Sequence, residues 1–192
     1  MARMIPNRIK TKNSAEITIY DAIKSSKLTS DWTVIHSQGI SKPYEKRDEE
    51  IDFIVFIPQQ GIVVIEAKGA TAARLDETGW YLERVPEPEK DPIKQLVSAE
   101  NNLRRELRNI DIDDKTVPLA RILWLPKVNV EQSEIDPART GRSFRPYEIA
   151  FENDLENPYQ TIVGALAGSI DDRKYSKSNR ANPEAFTPDQ IT

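Results

Sequence analysis

Three charged side chains interrupt the two most apolar runs of this sequence, and their types and spacing suit metal-assisted chemistry on a phosphodiester. Asp52 lies near the head of the run at 51–57, and Glu66 closes the run at 62–67 with Lys68 two residues further on. Strands this apolar are usually covered on both faces, so a carboxylate embedded in one is costly unless it is compensated. Between the runs, Pro58-Gln59-Gln60-Gly61 reads as a hairpin bend. Side chains alternate along a strand, so Asp52 groups with Ile54 and Phe56, and Glu66 with Val64 and Lys68. A bend of two or four residues sends the two acids to opposite faces. A three-residue bend, Gln59-Gln60-Gly61 with Gly61 left-handed, brings both acids and the lysine to one face. Two carboxylates so placed repel, and either one takes up a proton or a cation lies between them. Oxygen ligands with water completing the shell suit Mg²⁺. Such an ion acidifies water and neutralises phosphate charge, and a neighbouring ammonium stabilises charge developing on phosphorus-bound oxygens. Glu16, on the inward face of the first expected helix, is placed to add a ligand or to hold a metal-bound water.

The elements that must position these groups are legible in outline. The helix expected from Ser14 to about residue 28 puts Glu16, Tyr20 and Ile23 on one face, although Ile17-Thr18-Ile19-Tyr20 is β-branched enough to suit a strand. Residues 32–36 alternate as a short strand, the hairpin follows, and 79–85 forms a further strand ended by Pro86 and Pro88. Asp91-Pro92 opens a helix to about Arg108, with Ile93, Leu96, Val97, Leu103 and Leu107 on its apolar side. Gln95 lies on the shoulder of that stripe, and Glu100 falls inside it. Residues 118–125 form a buried strand, and Asn157-Pro158 precedes a helix to about Ala167 with Gly168 as its stop. Strands interleaved with helices, one pair of them a hairpin, indicate a mixed α/β sheet covered by helices. A doubly wound nucleotide-binding sheet is disfavoured because no glycine-rich turn follows a strand.

Composition narrows the chemistry. The chain has 192 residues, 38% hydrophobic and 30% charged, with a net charge of −4. Its length suits one domain. With no cysteine it has no disulfide, thiolate nucleophile or thiolate-bound metal, and with His36 alone it has no multi-histidine site. Any metal must therefore sit on oxygen. No apolar stretch approaches the roughly 20 residues that span a bilayer, and residues 1–10 lack the core of a secretory signal. A cytoplasmic protein with no membrane partner is expected.

Taken together, the residues resemble the PD-(D/E)XK nuclease superfamily and, more narrowly, its nuclease-related (NERD) domain. The similarity runs through Ala15-Glu16, Glu50-Ile51-Asp52-Phe53-Ile54-Val55 and Gly61-Ile62-Val63-Val64-Ile65-Glu66-Ala67-Lys68-Gly69. It continues through Gly79-Trp80-Tyr81 to Asp91-Pro92-Ile93-Lys94-Gln95-Leu96. It covers roughly residues 10–130. One departure is Ile51, where the superfamily's name has proline. The resemblance implies a restriction-endonuclease-like αβββαβ core and metal-dependent DNA cleavage by metal-activated water. It assigns Asp52, Glu66 and Lys68 to catalysis with Glu16 and Gln95 assisting. Mg²⁺, or Mn²⁺ in its place, would be held by Asp52, Glu66, the Ala67 carbonyl and Glu16. DNA repair and defence against foreign DNA are both compatible with it.

Other features are weaker. Arg139, Arg142 and Arg145 are interleaved with Phe144 and Tyr147 in a polar segment, a composition that suits phosphates or unpaired bases. A plain surface loop is the somewhat favoured reading of it. Arg104, Arg105 and Arg108 fit a salt-bridged helix surface, and His36 fits a structural or exposed role. The net negative charge gives no global attraction to DNA. Residues 171–192 read as a polar linker after a domain at 1–170. Within that segment Phe186-Thr187-Pro188-Asp189-Gln190 resembles the adenine-contacting motif that opens superfamily 1 helicase ATPase domains, which suggests a fused helicase. The rival to a nuclease is a non-cleaving nucleic-acid-binding or docking module of a larger helicase-containing protein. An RNA- or nucleotide-directed phosphodiesterase differs from the first reading only in substrate.

Overall fold

A computed structural model of the chain describes residues 1–39, 50–76, 79–83, 92–132, 135 and 145–175. A mixed six-stranded sheet forms its centre, in the order β1 (Arg3–Ile5), β2 (Thr33–Gly39), β3 (Glu50–Ile57), β4 (Gly61–Ala67), β7 (Leu119–Trp124) and β8 (Ile149–Ala150). Strands β2, β3 and β4 run antiparallel in turn, whereas β1 joins β2, β7 joins β4 and β8 joins β7 in parallel. Strands β5 (Ala73–Asp76) and β6 (Gly79–Leu82) make a separate antiparallel hairpin. Helices α1 (Ser14–Ser25), α2 (Pro92–Asn109) and α3 (Pro158–Tyr175) complete the set. With β1 and the β5–β6 hairpin set aside, the order α1-β2-β3-β4-α2-β7 is the αβββαβ core expected from sequence.

The alternation of the strands sorts their side chains into two cores. Ile54, Phe56, Ile62, Val64, Leu119 and Leu123 face α2 and the β5–β6 hairpin. Phe53, Val55, Ile57, Val63, Ile65, Ala120 and Ile122 face α1 and α3. Because β3 and β4 are covered on both sides, they read in sequence as unbroken apolar runs rather than alternating ones.

The β3–β4 bend has three residues, but they are Pro58-Gln59-Gln60 rather than Gln59-Gln60-Gly61, since Ile57 pairs with Gly61. Proline fixes the first bend residue, Gln59 takes the positive φ of 59°, and the Gln60 N–H donates to the Ile57 carbonyl at 3.0 Å. Gly61 is needed for a different reason. It opens β4 at φ 151°, and a Cβ there would lie 2.3 Å from the Pro118 carbonyl oxygen. That oxygen accepts the Ile62 N–H at 2.9 Å, which starts the β4–β7 pairing.

Several boundaries differ from those expected. Helix α1 is capped by Asn13, whose Oδ1 accepts the Ala15 N–H at 3.0 Å, and not by Ser14. It ends at Ser25, where a short 3-10 turn over Lys27–Thr29 takes over. Helix α3 continues past Gly168 to Tyr175, so that glycine is no stop. It is small because the Tyr147 ring lies 2.5 Å from where its Cβ would be. Strands β1, β5 and β8 are short and had no sequence signal. Trp32 and Trp124 are buried, and Trp80 packs against the α2-side core. No helix among the described residues is long and apolar enough to cross a membrane. Residues 176–192, including the helicase-like motif, lie outside the described residues, as do Asp91, Arg139 and Arg142.

Candidate active site

Chain topology gathers the candidate residues at one end of the sheet. Strands β2 and β4 run in the same direction, opposite to β3, so the start of β3 lies beside the ends of β2 and β4. Asp52 is near that start, and Glu66 and Lys68 are at the end of β4. The crossover from β4 through α2 to the parallel strand β7 returns α2 antiparallel to the sheet, which puts its first turn, with Gln95, at this same end.

The register settles the face. Phe53 pairs with Ile65, so the next step along the hairpin sets Asp52 opposite Glu66, with both side chains and that of Lys68 on the α2 side. Asp52 Oδ2 accepts the Ala67 N–H at 2.8 Å, an unusual side-chain closure of the ladder. Lys68 Nζ lies 3.0 Å from Glu66 Oε1, and both side chains are almost fully buried. The Lys68 N–H donates to the Trp124 carbonyl at 3.0 Å, so β7 fixes the backbone on which the lysine stands.

Electrostatics mark the site as unbalanced. Burial and then the Glu66 charge push the Asp52 carboxyl well above the usual aspartate range; Glu16 adds to this, while the Ala67 N–H and Lys68 offset only part of it. Glu16 stands on α1, on the other face of the sheet, and its charge is a lesser influence on Asp52. Its Oε2 is 2.7 Å from His36 Nε2. Burial opposes ionisation of Glu16, but hydrogen bonds from His36, Asn13 and Thr11 outweigh it and hold the carboxyl below the usual range. Gln95 Oε1 is buried and meets no hydrogen-bond donor among the described residues. A buried acceptor in that state lacks something to face.

The donor set fits a hard divalent ion. Asp52 and Glu66 supply two carboxylates, the Ala67 carbonyl is adjacent, and the surplus negative charge is the kind a cation removes. Among the described residues no three His, Cys, Asp or Glu side chains form a metal cluster. Glu16, expected as a further ligand, therefore does not join Asp52 and Glu66 in one ligand set.

Two residues escaped the sequence reading. His36 is buried, not exposed, and is the partner of Glu16. Lys127, just beyond β7, hydrogen-bonds Ser14 Oγ at 2.5 Å and adds a second ammonium beside the start of α1. Neither carries a local motif, since each depends on a contact between distant segments.

The arginine segment behaves differently. Arg145 Nε is 2.8 Å from Asp172 on α3, and the Tyr147 hydroxyl donates to the same carboxylate at 2.6 Å. Glu148 and Glu100 bracket Arg121 on β7, each at 3.1 Å, and Glu100 also receives Arg104 at 2.8 Å. Burial raises the Glu148 carboxyl despite Arg121 beside it. These groups line a cleft of about 300 Å³ on the outer side of β7. Among the described residues, none of them bonds to the Asp52 group. Glu100, which falls inside the apolar stripe of α2, is thus explained by its two arginines.

No curated protein and no solved structure gives a significant match to the chain. The profile of the nuclease-related domain (NERD) matches residues 11–125. That stretch runs from the turn before α1 through β7 and holds Glu16, Asp52, Glu66, Lys68 and Gln95, and the chain belongs to this nuclease-related family.

Proposed function

We propose that this nuclease-related domain is a Mg²⁺-dependent deoxyribonuclease that hydrolyses phosphodiester bonds at the Asp52–Glu66–Lys68 end of the sheet. The observation that carries the reading is the three-residue bend, which sets the buried Glu66, the half-buried Asp52 and Lys68 on one face. Asp52, Glu66 and the Ala67 carbonyl would hold the ion. When bound, the ion supplies Lewis acidity, lowering the pKa of water and neutralising phosphate charge. Lys68 is held by Glu66 and by the β7 backbone, and its ammonium would stabilise charge that builds on the scissile phosphate. Gln95, whose buried acceptor meets no donor among the described residues, suits the positioning of water. Lys68 and Lys127 are the ammonium groups at this end in a chain whose total charge is negative, and with a bound cation offsetting the carboxylates they would engage a phosphate backbone. Arg139, Arg142 and Arg145 as further DNA contacts, and a helicase motor fused after residue 171, rest on the sequence alone.

Incubation with single- and double-stranded DNA and with RNA, in Mg²⁺, in Mn²⁺ and then in EDTA, tests this. Cleavage of DNA that EDTA stops is the expected result. Lys68→Ala should lower it by about a hundredfold or more, with the variant's circular dichroism unchanged. Cleavage that survives Lys68→Ala would assign it to another site. Binding of DNA without cutting in either metal would favour a docking module.

A further inference from the structure

The β5–β6 hairpin turns two faces in different directions. Ala73, Leu75, Trp80 and Leu82 pack inward against the α2-side core, on the side of the sheet that also bears Asp52, Glu66 and Lys68. Alternation points Arg74 and Tyr81 the other way, and the two are direct cross-strand partners. Both are exposed, and Tyr81, at 48%, is the one exposed aromatic among the described residues. The Arg74 guanidinium lies over its ring, 4.3 Å from the centroid. A surface pair of this kind adds little to stability, and the inward apolar residues already anchor the hairpin. Its placement is more telling. Arg74 follows Lys68 by only six positions, so their Cα atoms lie within roughly 20 Å of each other, a span that a strand of a few nucleotides covers. A guanidinium plane and an aromatic ring are flat faces on which an unpaired base stacks, whatever its identity. Bases inside a duplex are already stacked on their neighbours. The same outward face carries Glu83, bonded to the Thr71 hydroxyl at 3.1 Å, so it offers stacking more than a general pull on phosphate.

We propose that Arg74 and Tyr81 form a stacking surface for an unpaired DNA base a few nucleotides from the scissile phosphate, so that the domain takes single strands in preference to closed duplex. The proposal rests on the nuclease reading above for its substrate, and adds to it a contact remote from the ion and the reacting phosphate.

The test measures binding in Mg²⁺ by fluorescence anisotropy, in a Lys68→Ala background that slows cutting. The probes are a labelled thymidine oligonucleotide and a labelled duplex closed by loops at both ends. The single strand should bind more tightly than the duplex. Tyr81→Ala and Tyr81→Leu, the second of which keeps apolar cover without a ring, should each weaken oligonucleotide binding by roughly tenfold and leave duplex binding nearly unchanged. Tyr81→Phe should retain the affinity. An abasic site moved along the oligonucleotide should reproduce the loss at one position, and at that position Tyr81→Ala should cause no further loss. Full affinity in Tyr81→Leu, an equal loss on the duplex, an abasic effect undiminished in Tyr81→Ala, or no binding of the single strand would overturn the proposal. Binding that depends on Tyr81, in a chain whose wild type cuts no DNA in Mg²⁺ or Mn²⁺, would overturn the nuclease reading and leave the stacking surface standing.

Discussion

Asp52→Asn should abolish cleavage and at the same time make the metal-free protein more stable at neutral pH. Burial first, and then the charges of Glu66 and Glu16, oppose ionisation of Asp52 in the folded chain. Its folded pKa therefore lies above the unfolded value, near 3.8, and between the two the folded state binds more protons than the unfolded one. The contribution of Asp52 to stability is thus fully present below the unfolded value and is lost as pH rises through the folded one. Asparagine keeps an oxygen for the Ala67 N–H but carries no charge, so the loss disappears. Thermal melts in EDTA should show the variant above the wild type at neutral pH, by roughly 2–4 °C for each kcal/mol of repulsion removed. The gap should close as pH falls into the ordinary carboxylate range. Mg²⁺ should raise the melting point of the wild type and leave that of the variant nearly unchanged, since only a ligand that binds the folded state stabilises it. Cleavage should fall by about a hundredfold or more. A variant less stable than the wild type at every pH would show that Asp52 supports the fold rather than straining it.

Gly61→Ala should destabilise the protein by roughly 3 kcal/mol, the sum of a core overpacked against backbone and a φ that L residues avoid. The clash is with the Pro118 carbonyl, 2.3 Å from the new Cβ, and a carbonyl already bonded to the Ile62 N–H cannot swing aside cheaply. Because that contact starts the β4–β7 pairing, strain there passes along the strand that ends in Glu66. Urea denaturation should show a lower midpoint at an unchanged slope. An unaltered midpoint would mean that β4 and Pro118 are less closely packed than the structure has them.

The hairpin and the shared face of its charged residues were readable because both depend on local rules. Two β-branched runs about a proline-and-glycine bend give a hairpin, and strand alternation then decides which charges share a face. The parity was right for a bend displaced by one residue, since Pro58-Gln59-Gln60 and Gln59-Gln60-Gly61 have the same odd length. The role of Gly61 was misplaced because the reason for it, the approach of Pro118, lies 57 residues away in sequence. Gly168 misled for the same reason, its space being taken by Tyr147 and not by a helix end. The αβββαβ order was legible because each core element is long and strongly patterned. Strands β1 and β8, of three and two residues, carry too little pattern to be seen and exist by pairing with a neighbour already in place. The His36–Glu16 pair was hidden likewise, since burial of a histidine depends on what the tertiary fold sets around it.

The whole account depends on a hard divalent ion lying between Asp52 and Glu66. Crystals soaked in Mn²⁺ test this most directly through the metal's anomalous scattering. The expected result is a peak bounded by the Asp52 and Glu66 carboxylates and the Ala67 carbonyl, absent from crystals of Asp52→Asn. No peak there at saturating Mn²⁺, or one that persists in the variant, would contradict it.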